Sequence, residues 1–403
     1  MKLAKKALIT SALLAAFAST TATAEDVKVG ALMGITGPLA NFIPPILNAA
    51  KLAEADVNAG GGILGGGKFT LVVADGQAAA QPSVDAASKL VNLEEVAAIM
   101  GGLSSGATIA AANAVSIPNK VLQLSPTATA PTMTDIEDDD YLFRIVPSDN
   151  YQGQVLAKIV LDEGINKVAV AFVNNDYGVG IAGTFKTAYE AMGGTVTAYE
   201  KHEDKKNSYR GELATLASSG AEALVVIAYA GGSGAKIVKQ SLENGFFDRF
   251  IGTDGLRDDL LIEQVGADAL ANSFFSAPTS PSDNPVAGPF HKRFDETYGE
   301  GSDKPFVDQA YDATMLLALA IEKAGSTDRT AVRDALREVS NAPGEVVVPG
   351  EWKKAVELIA AGKDINYEGV SGQHEFDKAG DVSGYIGKFI VKGTSYEQIG
   401  IFE

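Results

Sequence analysis

Along the chain, short runs of apolar and β-branched residues alternate with longer amphipathic stretches. That alternation is the pattern of strand–helix–strand units and parallel sheets. In the first half, Val27–Leu32, Phe69–Ala74, Ala97–Met100 and Val121–Leu124 predict strands, and Pro45–Asn58, Ser83–Leu93 and Gly106–Val115 predict helices. A second series predicts strands at Val168–Phe172, Val196–Tyr199, Leu224–Ile227 and Phe250–Gly252. Helices are expected between them, near Gln152–Glu163, Ile181–Met192, Gly211–Ser218 and Ala235–Asn244. Two similar halves in tandem predict an α/β fold of two doubly wound lobes. A lobe boundary is expected near Pro147, because the strand-like Tyr141–Val146 stops there and Gln152 opens a new helix.

The pattern changes after Phe274–Ala277. Pro278, Pro281, Pro285 and Pro289 interrupt the chain, and helical stretches follow at Phe290–Tyr298, Val307–Ala324 and Thr330–Val339 without clear strands between them. Helices alone cannot make a third α/β domain, so this segment is expected to pack back on a lobe. A helical insertion is predicted around Glu351–Ala361, and Gly372–Phe376 and Tyr385–Val391 read as closing strands.

The N-terminus changes the picture of where this fold works. Lys2, Lys5 and Lys6 precede an apolar stretch from Ala7 to Ala18, and Ala22-Thr23-Ala24 offers small residues for cleavage. These are the three parts of a secretory signal peptide over residues 1–24. The apolar stretch is shorter than the roughly 20 residues a membrane span needs, so the expectation is a soluble, periplasmic protein beginning near Glu25. The chain has no cysteine, which excludes both a disulfide framework and a lipid anchor on an N-terminal thiol. The leader's only charges are the three lysines, so its removal takes the net charge from −18 to −21. An acidic excess of this size repels nucleic acid and anionic lipid headgroups. The composition, 46% hydrophobic and 21% charged, is that of a folded globular protein.

Ligands of open α/β sheets bind beyond the carboxyl ends of strands, where loops lead into helix N-termini. Ser104-Ser105 and Thr127-Ala128-Thr129 both follow predicted strands. Their hydroxyls and amides read either as helix caps or as neutral donors to a ligand carboxylate. Asp254, after Phe250–Gly252, reads either as a turn aspartate or as an acceptor for an ammonium group. Other motifs carry less. Gly62-Ile63-Leu64-Gly65-Gly66-Gly67-Lys68 has phosphate-loop spacing, but Phe69 stands where Ser or Thr is needed and a strand follows instead of a helix. It reads as a flexible turn. His202, His291 and His374 lack zinc spacing, and Glu137-Asp138-Asp139-Asp140 lacks the order of a calcium loop. No nucleophile elbow is present, and neither a metal nor a cofactor is expected. Trp352 is the single tryptophan, which counts against a sugar cleft.

Five strings in order carry a family resemblance: Gly37-Pro38-Leu39-Ala40, Gly101-Gly102-Leu103-Ser104-Ser105, Ser125-Pro126-Thr127-Ala128-Thr129-Ala130-Pro131, Asp176-Tyr177-Gly178-Val179-Gly180 and Gly252-Thr253-Asp254-Gly255. The mature chain resembles the leucine/isoleucine/valine-binding proteins of branched-chain amino acid ABC transporters. The resemblance implies a type I periplasmic-binding fold, with three crossings near Pro147, Ala277 and Lys378. One lobe would comprise 25–147 plus 277–377, the other 148–276 plus 378–403. It also implies that Ser105 and Thr129 hold the ligand carboxylate, with Thr127 offering backbone, while Asp254 replaces a family glutamate that accepts the ammonium. Tyr177 and Phe42 match aromatic positions along the cleft. Ser233 stands where leucine binders carry an aromatic ring, a departure for which Tyr229 is placed to compensate. The implied protein is a monomer that captures a small polar ligand, most simply an amino acid, and delivers it to an inner-membrane permease. The competing readings are a binder of another small solute (an amide, a urea-like molecule or a carboxylate), a sensory partner of a membrane receptor, and a cleft enzyme.

Overall fold

The computed structural model describes residues 24–403; the expected leader falls outside them apart from Ala24. The first half runs β1 (Val27–Met33), α1 (Ile43–Ala59), β2 (Phe69–Asp75), α2 (Ala80–Asn92), β3 (Ala98–Gly101), α3 (Ser105–Ala111), β4 (Leu122–Ser125) and β5 (Leu142–Arg144). Its strands form a parallel sheet in the order β2-β1-β3-β4-β5. Successive side chains of a strand point to opposite faces, and β1 shows it. Val29, Ala31 and Met33 join the large core with α1, while Leu32 joins Leu90, Ile99 and Val115 beneath α2 and α3.

The second half runs α4 (Asp149–Asp162), β6 (Lys167–Val173), α5 (Asp176–Ala191), β7 (Thr195–His202), α6 (Arg210–Ala217), β8 (Ala223–Ile227), α7 (Ala235–Glu243), β9 (Phe250–Gly252), α8 (Asp259–Val265) and β10 (Phe274–Thr279). Two caps set the helices that matter for the cleft. Ser148 Oγ accepts from Asn150 N at the start of α4, and Asn175 Oδ1 accepts from Gly178 N at the start of α5.

The chain then returns to the first half through α9 (Ala287–Tyr298), α10 (Val307–Ala324) and α11 (Arg329–Ser340). Every residue of α10 from Val307 to Ile321 is buried, because the helix is wedged against α1, α11, β3 and β4. The next segment comprises β11 (Glu345–Val347), α12 (Trp352–Ala360), β12 (Ile365–Gly369) and β13 (Gly372–Gln373), and β11, β12 and β13 form a sheet of their own. Finally β14 (Tyr385–Lys392) and β15 (Ser395–Phe402) complete the second sheet, whose order is β15-β14-β10-β9-β8-β6-β7. The chain therefore passes between the two sheets three times.

Several expectations change in detail. Ala277 lies within β10, so the second passage follows Thr279 rather than Ala277. Only Gly372–Gln373 of the expected strand Gly372–Phe376 forms, and the insertion at 345–373 is not purely helical. The final strand β15 has no predicted counterpart; it is an edge strand with no fully buried residue, joined to β14 by a tight turn in which Gly393 takes φ +64°. The glycine-rich turn after α1 is pinned rather than flexible. Trp352 Nε1 donates to Gly62 O at 2.9 Å, and Leu64 N donates to Glu322 Oε2 at 2.7 Å.

One carboxylate holds the insertion onto α10. Asp312, fully buried, accepts from Tyr367 Oη at 2.8 Å, Val370 N at 3.0 Å, Ser371 N at 2.7 Å and Ser371 Oγ at 2.6 Å. Its approach is so close that a Cβ on Gly369 would sit 2.4 Å from the carboxyl group. Asp312→Ala strands four donors in the interior and is expected to cost roughly 3 kcal/mol or more, read as a fall in the urea midpoint.

Candidate ligand-binding cleft

The carboxyl ends of three strands from each sheet converge on one cavity. From the first sheet, β1 leads to Leu39 and Phe42, with Ile46 on α1; β3 leads to Leu103 and Ser105; β4 leads to Thr127 and Thr129. From the second, β6 leads to Tyr177, β8 to Tyr229, and β9 to Asp254 and Gly255. Phe306, just before α10, completes the wall in a left-handed conformation with φ +66°. The cavity is tight, about 20 Å³ measured as room for water centres, near the minimum for a single water.

The two sides meet around it. An added Cβ on Gly231 would lie 2.6 Å from Pro38 O, one on Gly180 2.6 Å from Pro131 Cδ, and one on Gly106 2.7 Å from Asp176 Oδ2. These pairs join the halves, so the conformation is closed.

Following each hydroxyl proton tells which way the polar groups face. Ser105 Oγ accepts from Ala130 N at 3.2 Å, which leaves its own proton free for an acceptor in the cavity. Thr129 Oγ1 donates to Asp149 Oδ2 at 2.9 Å, so it turns lone pairs toward the cavity. That geometry differs from the expected pairing of Thr129 with a carboxylate; as drawn, Thr129 suits a donor such as ammonium. Thr127 Oγ1 donates to Leu103 O at 2.5 Å and locks its loop to the one after β3.

On the other side Tyr177 Oη lies 2.6 Å from Thr253 Oγ1, donates to Asp254 Oδ1 at 3.0 Å and accepts from Gly255 N at 3.1 Å. Its ring stacks on Tyr229, centroids 5.1 Å apart at 13°. Gln152 Nε2 also donates to Asp254 Oδ1, at 3.0 Å. Burial pushes the Asp254 carboxyl up from 3.8 to about 6, against the opposing pull of the Tyr177 and Gln152 hydrogen bonds.

Three expected residues do not line the cavity. Ser104 holds the N-cap position of α3 without capping it; its Oγ donates to Ala78 O at 3.0 Å. Ala128 N is taken by Ser125 Oγ at 3.1 Å, and its methyl group packs with Ala112, Met133 and Leu142. Ser233 lies under His202, whose Nε2 is 2.8 Å from its Oγ. The cap reading of Ser105 also gives way, because its hydroxyl faces Ala130 N rather than its own helix.

Sequence reasoning missed the groups behind the cavity. Arg144, fully buried, donates through Nη1 to the carbonyls of Thr129 and Ala130 at 2.9 and 2.8 Å, and it forks onto both oxygens of Asp381 at 2.7 Å. It thereby fixes the loop carrying Thr129. Asp149 and Gln152, one turn apart on α4, are both fully buried. Desolvation, followed by repulsion from Asp254, holds the Asp149 carboxyl well above the usual carboxylate range. The Asp-x-x-Gln spacing after the hinge proline was the available signal. Among the described residues no cluster of three or more His, Cys, Asp or Glu side chains is placed to hold a metal, and no helix is long and apolar enough to cross a membrane.

Comparison with known proteins agrees with this architecture. A Leu/Ile/Val-binding protein, BraC3, from Rhizobium johnstonii is 30% identical over 83% of this chain and 90% of its own length. A chemotactic signal transduction system substrate-binding protein, BasB, from Halobacterium salinarum is 26% identical over 90% of this chain and 86% of its own. Among solved structures, the branched-chain amino acid transporter substrate-binding protein LivJ from Streptococcus pneumoniae, in complex with isoleucine, superposes with a TM-score of 0.77 at 25% identity, covering 93% of this chain and 99% of that one. Residues 26–365 match the periplasmic binding protein family. The chain belongs to that family, as a type I solute-binding protein of two α/β lobes.

Proposed function

We propose that this chain is the periplasmic solute-binding component of an ABC transporter and that it captures a small α-amino acid with an apolar side chain. One observation carries the reading: the free hydroxyl proton of Ser105 on one lobe faces the cavity that Asp254 lines from the other. A carboxylate at the first and an ammonium at the second describe a zwitterion, and Leu39, Phe42, Ile46, Leu103 and Phe306 leave an apolar wall for the side chain. With β10 kept whole in the second sheet, the lobes are assigned to 25–147 plus 280–377 and to 148–279 plus 378–403, with the leader cleaved near Ala24. The monomer delivers its ligand to an inner-membrane permease and performs no catalysis. The Halobacterium relative supports a second use of the same closure, presentation to a membrane receptor.

Closure is a population shift that the ligand drives by bridging the lobes. Calorimetry against leucine, isoleucine, valine, alanine and benzoate tests the reading. Saturable binding of an apolar amino acid is expected. Binding of benzoate alone, which lacks an ammonium group, would sink it.

Closure also has a steric test. Gly180 and Gly231 adopt conformations open to any residue, yet a methyl group at either collides with the facing lobe. Gly180→Ala and Gly231→Ala are expected to weaken ligand binding by about 1–3 kcal/mol while leaving the thermal midpoint of the ligand-free, open protein unchanged.

The raised Asp254 carboxyl gives a third test with a defined sign. Its stabilising contribution is complete below the unfolded value of 3.8 and is lost as pH rises through about 6. At pH 7 the buried anion therefore costs roughly 3 kcal/mol, from the shift 3.8 to about 6. Because that cost falls on the closed form, Asp254→Asn is expected to shift the ligand-free protein toward closure at pH 7 and to lose that effect near pH 4, read by small-angle X-ray scattering. The same variant is expected to weaken amino-acid binding by about 2–5 kcal/mol. In the unaltered protein, affinity is expected to fall as pH drops below 6.

A further inference from the structure

Two buried acceptors behind the cavity have no donor among the described residues. Asp149 Oδ1 and Gln152 Oε1 are both without a hydrogen-bond partner, and both residues are fully buried. They sit at positions i and i+3 of α4, where side chains lie on one face of a helix. Gln152 Nε2 donates to two groups that can only accept, Asp254 Oδ1 at 3.0 Å and Ser276 O at 3.2 Å, so the amide nitrogen rather than Oε1 faces Asp254.

We propose that Asp149 carries a resident proton on Oδ1 which it donates to Gln152 Oε1, making a relay from Asp149 through the Gln152 amide to Asp254 that keeps one carboxylate neutral and the other charged. A single proton then satisfies both orphaned acceptors. It also removes the repulsion between two anions enclosed in one apolar site, where like charges cannot both ionise cheaply.

The charged and titratable groups facing Asp149 are Asp254 from the loop after β9 and Arg144 from β5; Tyr177 from α5 and Tyr229 from the loop after β8 feel Asp149 in turn. Arg144 does not neutralise Asp149, because its guanidinium is already forked onto Asp381. The burial that raises the Asp149 carboxyl agrees with this division of charge. The proton stays within the protein throughout ligand binding, so Asp149 is a positioning residue that acts through Gln152 and Thr129.

The inference rests on the amino-acid reading and narrows it. A cleft with one ionised carboxylate matches a ligand bearing one cationic group at that end, and it disfavours a ligand bringing two.

The test separates this relay from the functional reading. In ligand-free protein labelled with ¹³C at aspartate carboxyls, the Asp149 resonance, assigned by its loss in Asp149→Asn, is expected to stay at the protonated position across neutral pH. An ionised Asp149 at pH 7 overturns the proposal, whatever the protein binds. With L-isoleucine and L-leucine as probes, Asp149→Ala is expected to lose about tenfold or more in affinity. Asp149→Asn, which keeps a donor for Gln152, is expected to recover most of that loss; recovery no better than alanine overturns the relay. Gln152→Leu removes a donor from the charged Asp254, so the pH below which affinity falls is expected to move upward; an unmoved profile also overturns it. If neither probe binds any form, the functional reading falls, and the resonance of Asp149 still decides the proton.

Discussion

Closing two lobes over an ionised Asp254 takes a carboxylate out of water, and nothing of opposite charge among the described residues meets it. Tyr177 and Gln152 give it hydrogen bonds but no counter-charge. Such a group is tolerable only in proportion to what later pairs with it. The cleft is therefore asymmetric by necessity. It holds an uncompensated negative end at Asp254 and a neutral, hydroxyl-lined end at Ser105, and a zwitterion is the small solute whose charges run in that order.

Holding such a site steady falls to groups that never touch the cavity. Arg144 clamps the carbonyls of Thr129 and Ala130, and Asp381 answers its charge from the last passage between lobes. Ser125 Oγ donates to Gly102 O and accepts from Ala128 N, tying the loops after β3 and β4 together. Thr127 does the same through Leu103 O. The first lobe thus presents a prebuilt half-site, in keeping with the general advantage of fixed dipoles over groups that must reorient.

Much of this was legible in the sequence. The two α/β series, the return of the 290–340 helices to the first half, and the placing of Ser105, Thr129, Tyr177 and Asp254 after strands all followed from periodicity, from the rule about strand ends, or from the family resemblance. What escaped has a physical pattern. The edge strand β15 buries too little apolar surface to show a period-two signal. Asp149, Gln152 and Arg144 carry polar side chains in elements whose own periodicity predicts only that they are helix or strand. Their roles depend on partners 20, 102 and 237 residues away: Thr129 for Asp149, Asp254 for Gln152 and Asp381 for Arg144. Ser104 and Ser233 lie off the cavity because their hydroxyls meet Ala78 O and His202, partners that only the folded backbone brings near. Thr129 lines the cavity, and its proton goes to Asp149, a partner that local sequence does not reveal.

The division of labour between lobes implies an order of events. The apolar wall of Leu39, Phe42, Ile46, Leu103 and Phe306, together with Ser105 and Thr129, belongs wholly to the side built on the first sheet. The other side adds two tyrosines, Gly255 and one carboxylate. An open form can therefore settle most of a ligand's surface and its carboxylate on the first lobe before the second arrives. What the second lobe contributes is charge pairing and exclusion of water, both of which gain strength only as the gap closes. The contacts of Gly180 with Pro131 and Gly231 with Pro38 then set how far closure can go. A larger residue at either point would hold the lobes apart at the distance where pairing with Asp254 begins to matter, so small residues at the rim are as much a part of ligand recognition as the carboxylate within.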